Sequence, residues 1–168
     1  MHGWALAQQG QVRDGIEQLT QGLSAFQATG GETTRPYYLA LLVEAYGIMG
    51  QPEAGLAVLT EALTVVDKTG ARLYEPELYR LKGELLLQQS SDNQTEAESC
   101  FHQAISVARS QQAKSFERRA ATSLARLWPS QGKRDEARQL LGDVYGWFTE
   151  GFDTADLQEA KALLDALR

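Results

Sequence analysis

Two glycine pairs, Gly10/Gly15 and Gly50/Gly55, each enclose four residues, the opening half of a loop that cradles phosphate. Such a loop also needs a lysine to reach the phosphate, a hydroxyl for magnesium and a preceding strand, in the pattern G-x-x-x-x-G-K-[ST]. Here Gly15 is followed by Ile16-Glu17 and Gly55 by Leu56-Ala57, so the phosphate reading fails. His2 and His102 have no His or Cys partner at metal-ligand spacing. The single cysteine, Cys100, excludes an intramolecular disulfide. It lies beside the helical stripe of Ala97 and Ala104, which predicts a small buried hydrophobe rather than a reactive thiol. No serine or cysteine has a base that the sequence places nearby, so a nucleophile site is unsupported. His102 reads as a surface residue, and Arg118-Arg119 and Lys133-Arg134 as solvated basic pairs. The expectation is no catalytic, cofactor-binding or metal site, and no cofactor.

The composition is that of an ordinary soluble globular protein. The chain has 168 residues, 43% hydrophobic and 23% charged, with four prolines. That is about one domain with an ordinary core, and much Ala, Leu, Gln and Glu favours helix. A net charge of −6 argues against a nucleic-acid partner, which calls for a basic stripe. The N-terminal MHGWALAQQGQVRDG lacks the pattern of a signal peptide, and no apolar run approaches the roughly 20 residues of a membrane helix. A soluble, cytoplasmic protein without membrane or nucleic-acid partners is expected.

The glycines gain meaning from a repeat. GQVRDGIEQLTQGL (10–23), GQPEAGLAVLTEAL (50–63), QTEAESCFHQAI (94–105) and GKRDEARQLLGDVY (132–145) share one skeleton. Small residues stand at Gly15, Gly55, Ala97 and Ala137, spaced 40, 42 and 40 apart. Leu19, Leu59, Phe101 and Leu141 follow each by four. Upstream segments align on Gly3, Val43, Gly83 and Ala125, and the two-residue surplus of the third unit falls in the turn-type cluster SSDNQ. Apolar residues recur at three and four, the helical period. Pro52 suits the first turn of a helix, and Gly30-Gly31 and Gly70 read as helix stops. Each unit is therefore a helical hairpin, 34–49 with 52–69 and 74–89 with 94–111. The first of the four units is truncated. Where two antiparallel helices cross closely, the crossing tolerates only small residues; Val43 with Gly55 and Gly83 with Ala97 are the expected meeting points.

This skeleton resembles the tetratricopeptide repeat (TPR). Leu39, Leu42-Val43, Tyr46, Gly50, Gly55, Leu59 and Ala62 occupy that family's series, as do Tyr79, Gly83, Leu86, Ala97, Phe101 and Ala104. Leu124-Ala125, Trp128, Gly132, Ala137 and Leu141 do so in the last unit. The period of 40–42 exceeds the family's usual 34. It is similar to the long-helix repeats of MalT-type bacterial transcription activators. It is also similar to the C-terminal arrays of bacterial proteins that join nucleotide cyclase and ATPase domains. ELYRLKGELLLQQS (77–90), RRAATSLARLW (118–128) and YGWFTEGFDTADLQEAKALLDAL (145–167) resemble the latter most. The resemblance implies an all-α, right-handed superhelical solenoid over 1–148 and a fragment from the C-terminal part of a longer signalling protein.

Residues 149–168 read as a capping helix, with Asp153 and Thr154 as candidate N-caps and an apolar stripe of Leu157, Ala160, Leu163, Leu164 and Leu167. In this repeat class the first helix of each hairpin lines the concave face. The candidate binding positions there are Trp4, Tyr37, Glu44, Glu77, Arg80, Glu84, Arg119 and Arg126, acidic in the third unit and basic in the fourth. The reading is a noncatalytic scaffold for a protein or peptide partner, which includes other domains of the parent chain. The alternatives are a small-molecule-sensing arm and self-association through the truncated end, where Leu6, Leu19 and Leu23 are expected to be partly uncovered.

Overall fold

The computed structural model describes residues 2–168, and among them nine α-helices follow one another without a strand. They pair as antiparallel hairpins: α1 (His2–Gln8) with α2 (Val12–Ala28), α3 (Arg35–Ile48) with α4 (Pro52–Thr69), α5 (Glu75–Gln89) with α6 (Gln94–Ser110), and α7 (Lys114–Leu127) with α8 (Arg134–Tyr145). A last helix, α9 (Ala155–Ala166), packs on α7 and α8. The hairpins expected at 34–49/52–69 and 74–89/94–111 match α3/α4 and α5/α6 to within two residues.

The turns explain the register. Gly50 takes the left-handed conformation at φ +70°, and the N–H of Gln51 reaches back to the carbonyl of Tyr46 at 3.0 Å. This closes α3 as only a residue without a Cβ does cheaply. The third unit has no glycine at that point. Ser90 is extended, and its hydroxyl accepts from the Asp92 N–H at 3.1 Å. Asn93 Nδ2 then donates to the Leu86 carbonyl at 3.1 Å, which also accepts the Ser90 N–H. The two extra residues thus supply by side chains the hydrogen bonds that a left-handed glycine supplies elsewhere.

First helices touch first helices: α1 lies against α3, α3 against α5, α5 against α7 and α7 against α9. No comparable contact joins α2 to α4 or α4 to α6 among the described residues. The first helices therefore form the inner layer and the second helices the splayed outer one. Between the layers run contiguous apolar clusters. One is built on Leu39, Val43, Leu59, Ala62, Leu78 and Leu85, and another on Leu86, Ala97, Phe101, Ala104 and Leu124.

The small residues do steric work, with corrections to the pairings expected from sequence. At the first hairpin the expectation holds in its strongest form. A Cβ on Gly3 would stand 2.6 Å from the Gly15 carbonyl oxygen, and one on Gly15 would stand 2.5 Å from that of Gly3. In the third hairpin the nearest neighbour of a Cβ on Gly83 would be the ring of Phe101, one turn beyond Ala97 along α6, at 2.4 Å. Gly55 makes room less for its own hairpin than for the next unit: Leu85 Cδ1 of α5 would lie 2.8 Å from its Cβ, against 3.4 Å for Tyr46 Cβ of α3. The repeat pattern marks which positions must be small; it does not say which neighbour fills the space. Leu19 is also buried, at 5% exposure, so of the three leucines expected to be partly uncovered only Leu6 and Leu23 are half-buried.

Thr154 begins α9 in extended conformation, but its hydroxyl donates back to the Gly151 carbonyl at 2.7 Å and caps nothing. The Asp153 carboxylate makes no cap either, and its backbone carbonyl accepts from Gln158. α9 is held instead by Arg118 and Arg134, which the sequence presented in solvated pairs, and by Arg126, expected on the groove. Arg118, only 4% exposed, donates to the Asp156 carbonyl at 2.8 Å and to its carboxylate at 2.5 Å. Its guanidinium also lies 5.9 Å from the Phe148 ring. Arg134 donates to the Ala166 carbonyl at the other end of the helix, and Arg126 pairs with Glu159 in the middle. Charge-assisted hydrogen bonds contribute about 1.5–3 kcal/mol each when sheltered. Arg118→Ala is therefore expected to speed amide exchange across α9 by about ten-fold or more while leaving α3–α6 unchanged, as read by hydrogen–deuterium exchange.

Candidate functional site

The inner layer carries a pocket of about 200 Å³ lined by Trp4 of α1, Tyr37, Ala40, Leu41 and Glu44 of α3, Glu77 and Leu81 of α5, and Phe116 and Arg119 of α7, with Tyr74 just before α5. Five of the eight positions expected to face the groove thus meet in one place, contributed by four consecutive first helices. The end of α2 and the starts of the next first helices supply a row of rings: Phe26 to Tyr38 at 5.5 Å, Tyr38 to Tyr37 at 5.1 Å, Tyr37 to Tyr74 at 4.7 Å, and Tyr74 to Phe116 at 5.5 Å between centroids. These tilted and edge-on arrangements are the favoured ones for aromatic quadrupoles. The groove positions expected from sequence do not include Tyr74 and Phe116. The two stand 42 residues apart, so the repeat period itself was the signal that could have found them.

The groove's charges are organised by Glu77. Its carboxylate, on a residue 5% exposed, accepts from Arg80 Nε at 3.0 Å and Arg80 Nη2 at 2.8 Å, and takes Arg119 Nη2 at 3.0 Å. Arg80 also reaches Glu84 at 3.4 Å. Burial works against the Arg80 charge, but Glu77, then Glu84 and Glu44, outweigh it and raise its pKa above the ordinary value. Glu84 in turn accepts from Ser123 Oγ of α7 at 2.6 Å. Trp4 Nε1 donates to Glu44 at 2.8 Å, tying α1 to α3. Glu77 and Arg80 are therefore interior struts of the inner layer rather than open groove positions. Arg126 lies apart from the pocket, in its pair with α9. The expected division into an acidic third unit and a basic fourth dissolves into an interleaved network.

Two further carboxylates join helices outside the groove. Burial pushes the Glu117 carboxyl up, but hydrogen bonds from Lys114 (2.7 Å) and Arg109 of α6 (2.7 Å) prevail and hold it below its usual range. The same balance lowers Glu98, which accepts from Lys133 at 2.9 Å and Trp128 Nε1 at 2.7 Å. Groups with a depressed folded-state pKa contribute stability above their unfolded value, about 4.3 for Glu, and lose it as pH falls through the folded one. The melting temperature should hold level down to about pH 5 and fall below it, and Glu98→Gln with Glu117→Gln should flatten that fall. An equally steep fall in the double variant would contradict the assignment.

Other residues with chemical potential are placed quietly. Cys100 is buried, with burial raising its thiol pKa. His102 is exposed on α6, its ring 5.9 Å from Trp128. Among the described residues no three His, Cys, Asp or Glu side chains gather as metal ligands, and no helix is long and apolar enough to cross a membrane.

No protein-family profile matches the chain, and no curated protein matches it. Among solved structures it is similar to two crystal structures of a Podosopora anserina protein assigned as a kinesin light chain with nearly identical TPR-like repeats, one of them a single-substitution form. The substituted form gives a TM-score of 0.70 and the other 0.69; each is 18% identical, and the match covers 98% of this chain and 81% of that chain. The likeness establishes the fold: an all-α, TPR-like solenoid of helical hairpins.

Proposed function

We propose that this chain is a noncatalytic protein-interaction and regulatory module whose inner groove binds a peptide segment of a partner. The observation that carries this reading is the convergence of four consecutive first helices on one pocket, where Trp4, Tyr37, Tyr74 and Phe116 meet Glu44 and Arg119. Rigid aromatics and arginine are the residues that anchor interfaces, and a groove spanning several units suits an extended or helical segment better than a compact ligand. At about 200 Å³ the pocket falls below the roughly 300–1,000 Å³ of small-molecule sites, which weighs against an inducer-sensing arm. The 40–42-residue period and the segments 77–90, 118–128 and 145–167 support a place within a larger cytoplasmic bacterial signalling protein, one bearing cyclase or ATPase domains. Self-association is a second reading, favoured by Trp147 and Phe152, exposed by 57% and 46% in the segment before α9; light scattering on a concentration series tests it.

The groove is tested by selecting a displayed random-peptide library against the wild-type chain. Binding of the selected peptides is then compared with a Tyr37→Ala/Phe116→Ala variant, whose melting temperature checks its fold, and an outer-face control, Arg138→Glu. Loss of about ten-fold or more in the groove variant alone is expected. Undiminished binding of every peptide to that variant would contradict the proposal. Arg80→Glu is unsuitable as a probe, because it would bury a third carboxylate against Glu77 and Glu84.

A further inference from the structure

We propose that the pocket between α1, α3 and α7 receives a basic side chain, arginine or lysine, of the bound peptide, with Glu44 as its counter-ion. The inference rests on the reading of the groove as a peptide site and specifies the partner's chemistry. It follows from the charge arrangement. Along the groove Glu77 and Glu84 neutralise Arg80 and Arg119, two against two, through the pairs already described. Glu44 remains. One of its oxygens accepts from Trp4 Nε1 at 2.8 Å; among the described residues the other has no hydrogen-bond donor and no basic side chain within ion-pair distance. Glu44 is only half-buried and lines the pocket, so an incoming donor can reach it. An ionised carboxylate has about four lone-pair sites, and Glu44 uses one.

The surroundings suit a cation on a long apolar stem. Ala40, Leu41 and Leu81 line the pocket beside the carboxylate and offer a surface for methylenes. Trp4 and Tyr37 line the same pocket, and aromatic faces attract guanidinium and ammonium groups, tryptophan most of all. Its volume of about 200 Å³ accommodates one side chain rather than a folded element. Arg119 does not oppose this, because its guanidinium is held at 3.0 Å on Glu77. An acidic peptide would instead have to draw Arg119 away from that buried carboxylate.

The test uses peptides from the selection above, each resynthesised with every arginine replaced by citrulline and every lysine by norleucine, which keep shape and remove charge. Affinities are measured by calorimetry on the wild-type chain and on Glu44→Gln, which keeps an acceptor for Trp4; an unchanged melting temperature checks its fold. The expected result is a loss of about ten-fold or more at one basic position on the wild-type chain, shrinking to under about three-fold on Glu44→Gln. Groove-dependent peptides that bind equally after neutralisation, or that depend on Asp or Glu instead, would overturn this inference while leaving the groove reading intact. A selection in which no peptide depends on Tyr37 and Phe116 would overturn both.

Discussion

Phe101→Ala is expected to lower the unfolding free energy by about 3–5 kcal/mol, the range for emptying a buried aromatic site. Phe101 is fully buried, its ring fills the space that Gly83 leaves on α5, and it sits in the cluster joining α5, α6 and α7. Its loss opens a void at the middle of the array, where both neighbouring units lean on it. The complementary change sharpens the test. Gly83→Leu forces atoms into the Phe101 ring and should cost about 1–3 kcal/mol or more as overpacking. In the Phe101→Ala background the same substitution gains room, so its cost should fall by more than about 1 kcal/mol. Urea unfolding of the four variants reads the cycle. Additive costs would mean that glycine and ring do not share one space.

Glu77→Ala is the second large effect. It removes the bidentate partner of Arg80, whose side chain is 11% exposed, and the partner of Arg119 at the same time. Breaking one side of a buried ion pair typically costs about 3–5 kcal/mol, because the charge left behind has no replacement for water. Glu84, at 3.4 Å from Arg80, offsets part of this, which places the expectation near the lower figure. The double variant Glu77→Leu/Arg80→Leu should recover most of the loss, since apolar residues of similar size fill such sites without a desolvation penalty. If Glu77→Ala is neutral, the pair is not a strut of the inner layer.

The sequence reads well where a physical constraint repeats. Gly15, Gly55, Gly83, Ala97, Ala125 and Ala137 recur because each lies where a side chain would strike a packed neighbour, and all six are buried. Helical period and turn residues set α3 to α6 almost to the residue. What escaped was pairwise and directional. Leu85 reaching Gly55, and the Phe101 ring lying nearest to Gly83, depend on side-chain length across an interface, which a pattern of small and large does not encode. Arg118 shows the same limit for charge. Beside Arg119 in sequence it looks like half of a solvated pair, yet on a helix adjacent residues point some 100° apart. One faces the groove and Glu77, the other the last helix and Asp156. The ion-pair topology was half legible: Glu77 and Arg80 stand three residues apart on α5, a spacing the sequence shows, but Arg119 reaches Glu77 from α7.

The TPR-like architecture also explains why the chemistry is steric in one layer and electrostatic in the other. The outer helices contribute small and apolar residues to the interlayer clusters. The inner helices must pack side by side and still face solvent along the groove, and there paired charges supply contacts that large apolar residues would make sticky. Against that neutralised background Glu44 stands beside aromatic side chains with no ion-pair partner among the described residues.

The most direct test of the account is amide chemical-shift mapping of the ¹⁵N-labelled chain during titration with a groove-selected peptide. Shifts concentrated at 37–48, 74–84 and 116–123, on the inner faces of α3, α5 and α7, are the predicted result. Shifts confined to the outer helices α4 and α6, or to the ends of the array, would contradict a groove-binding function.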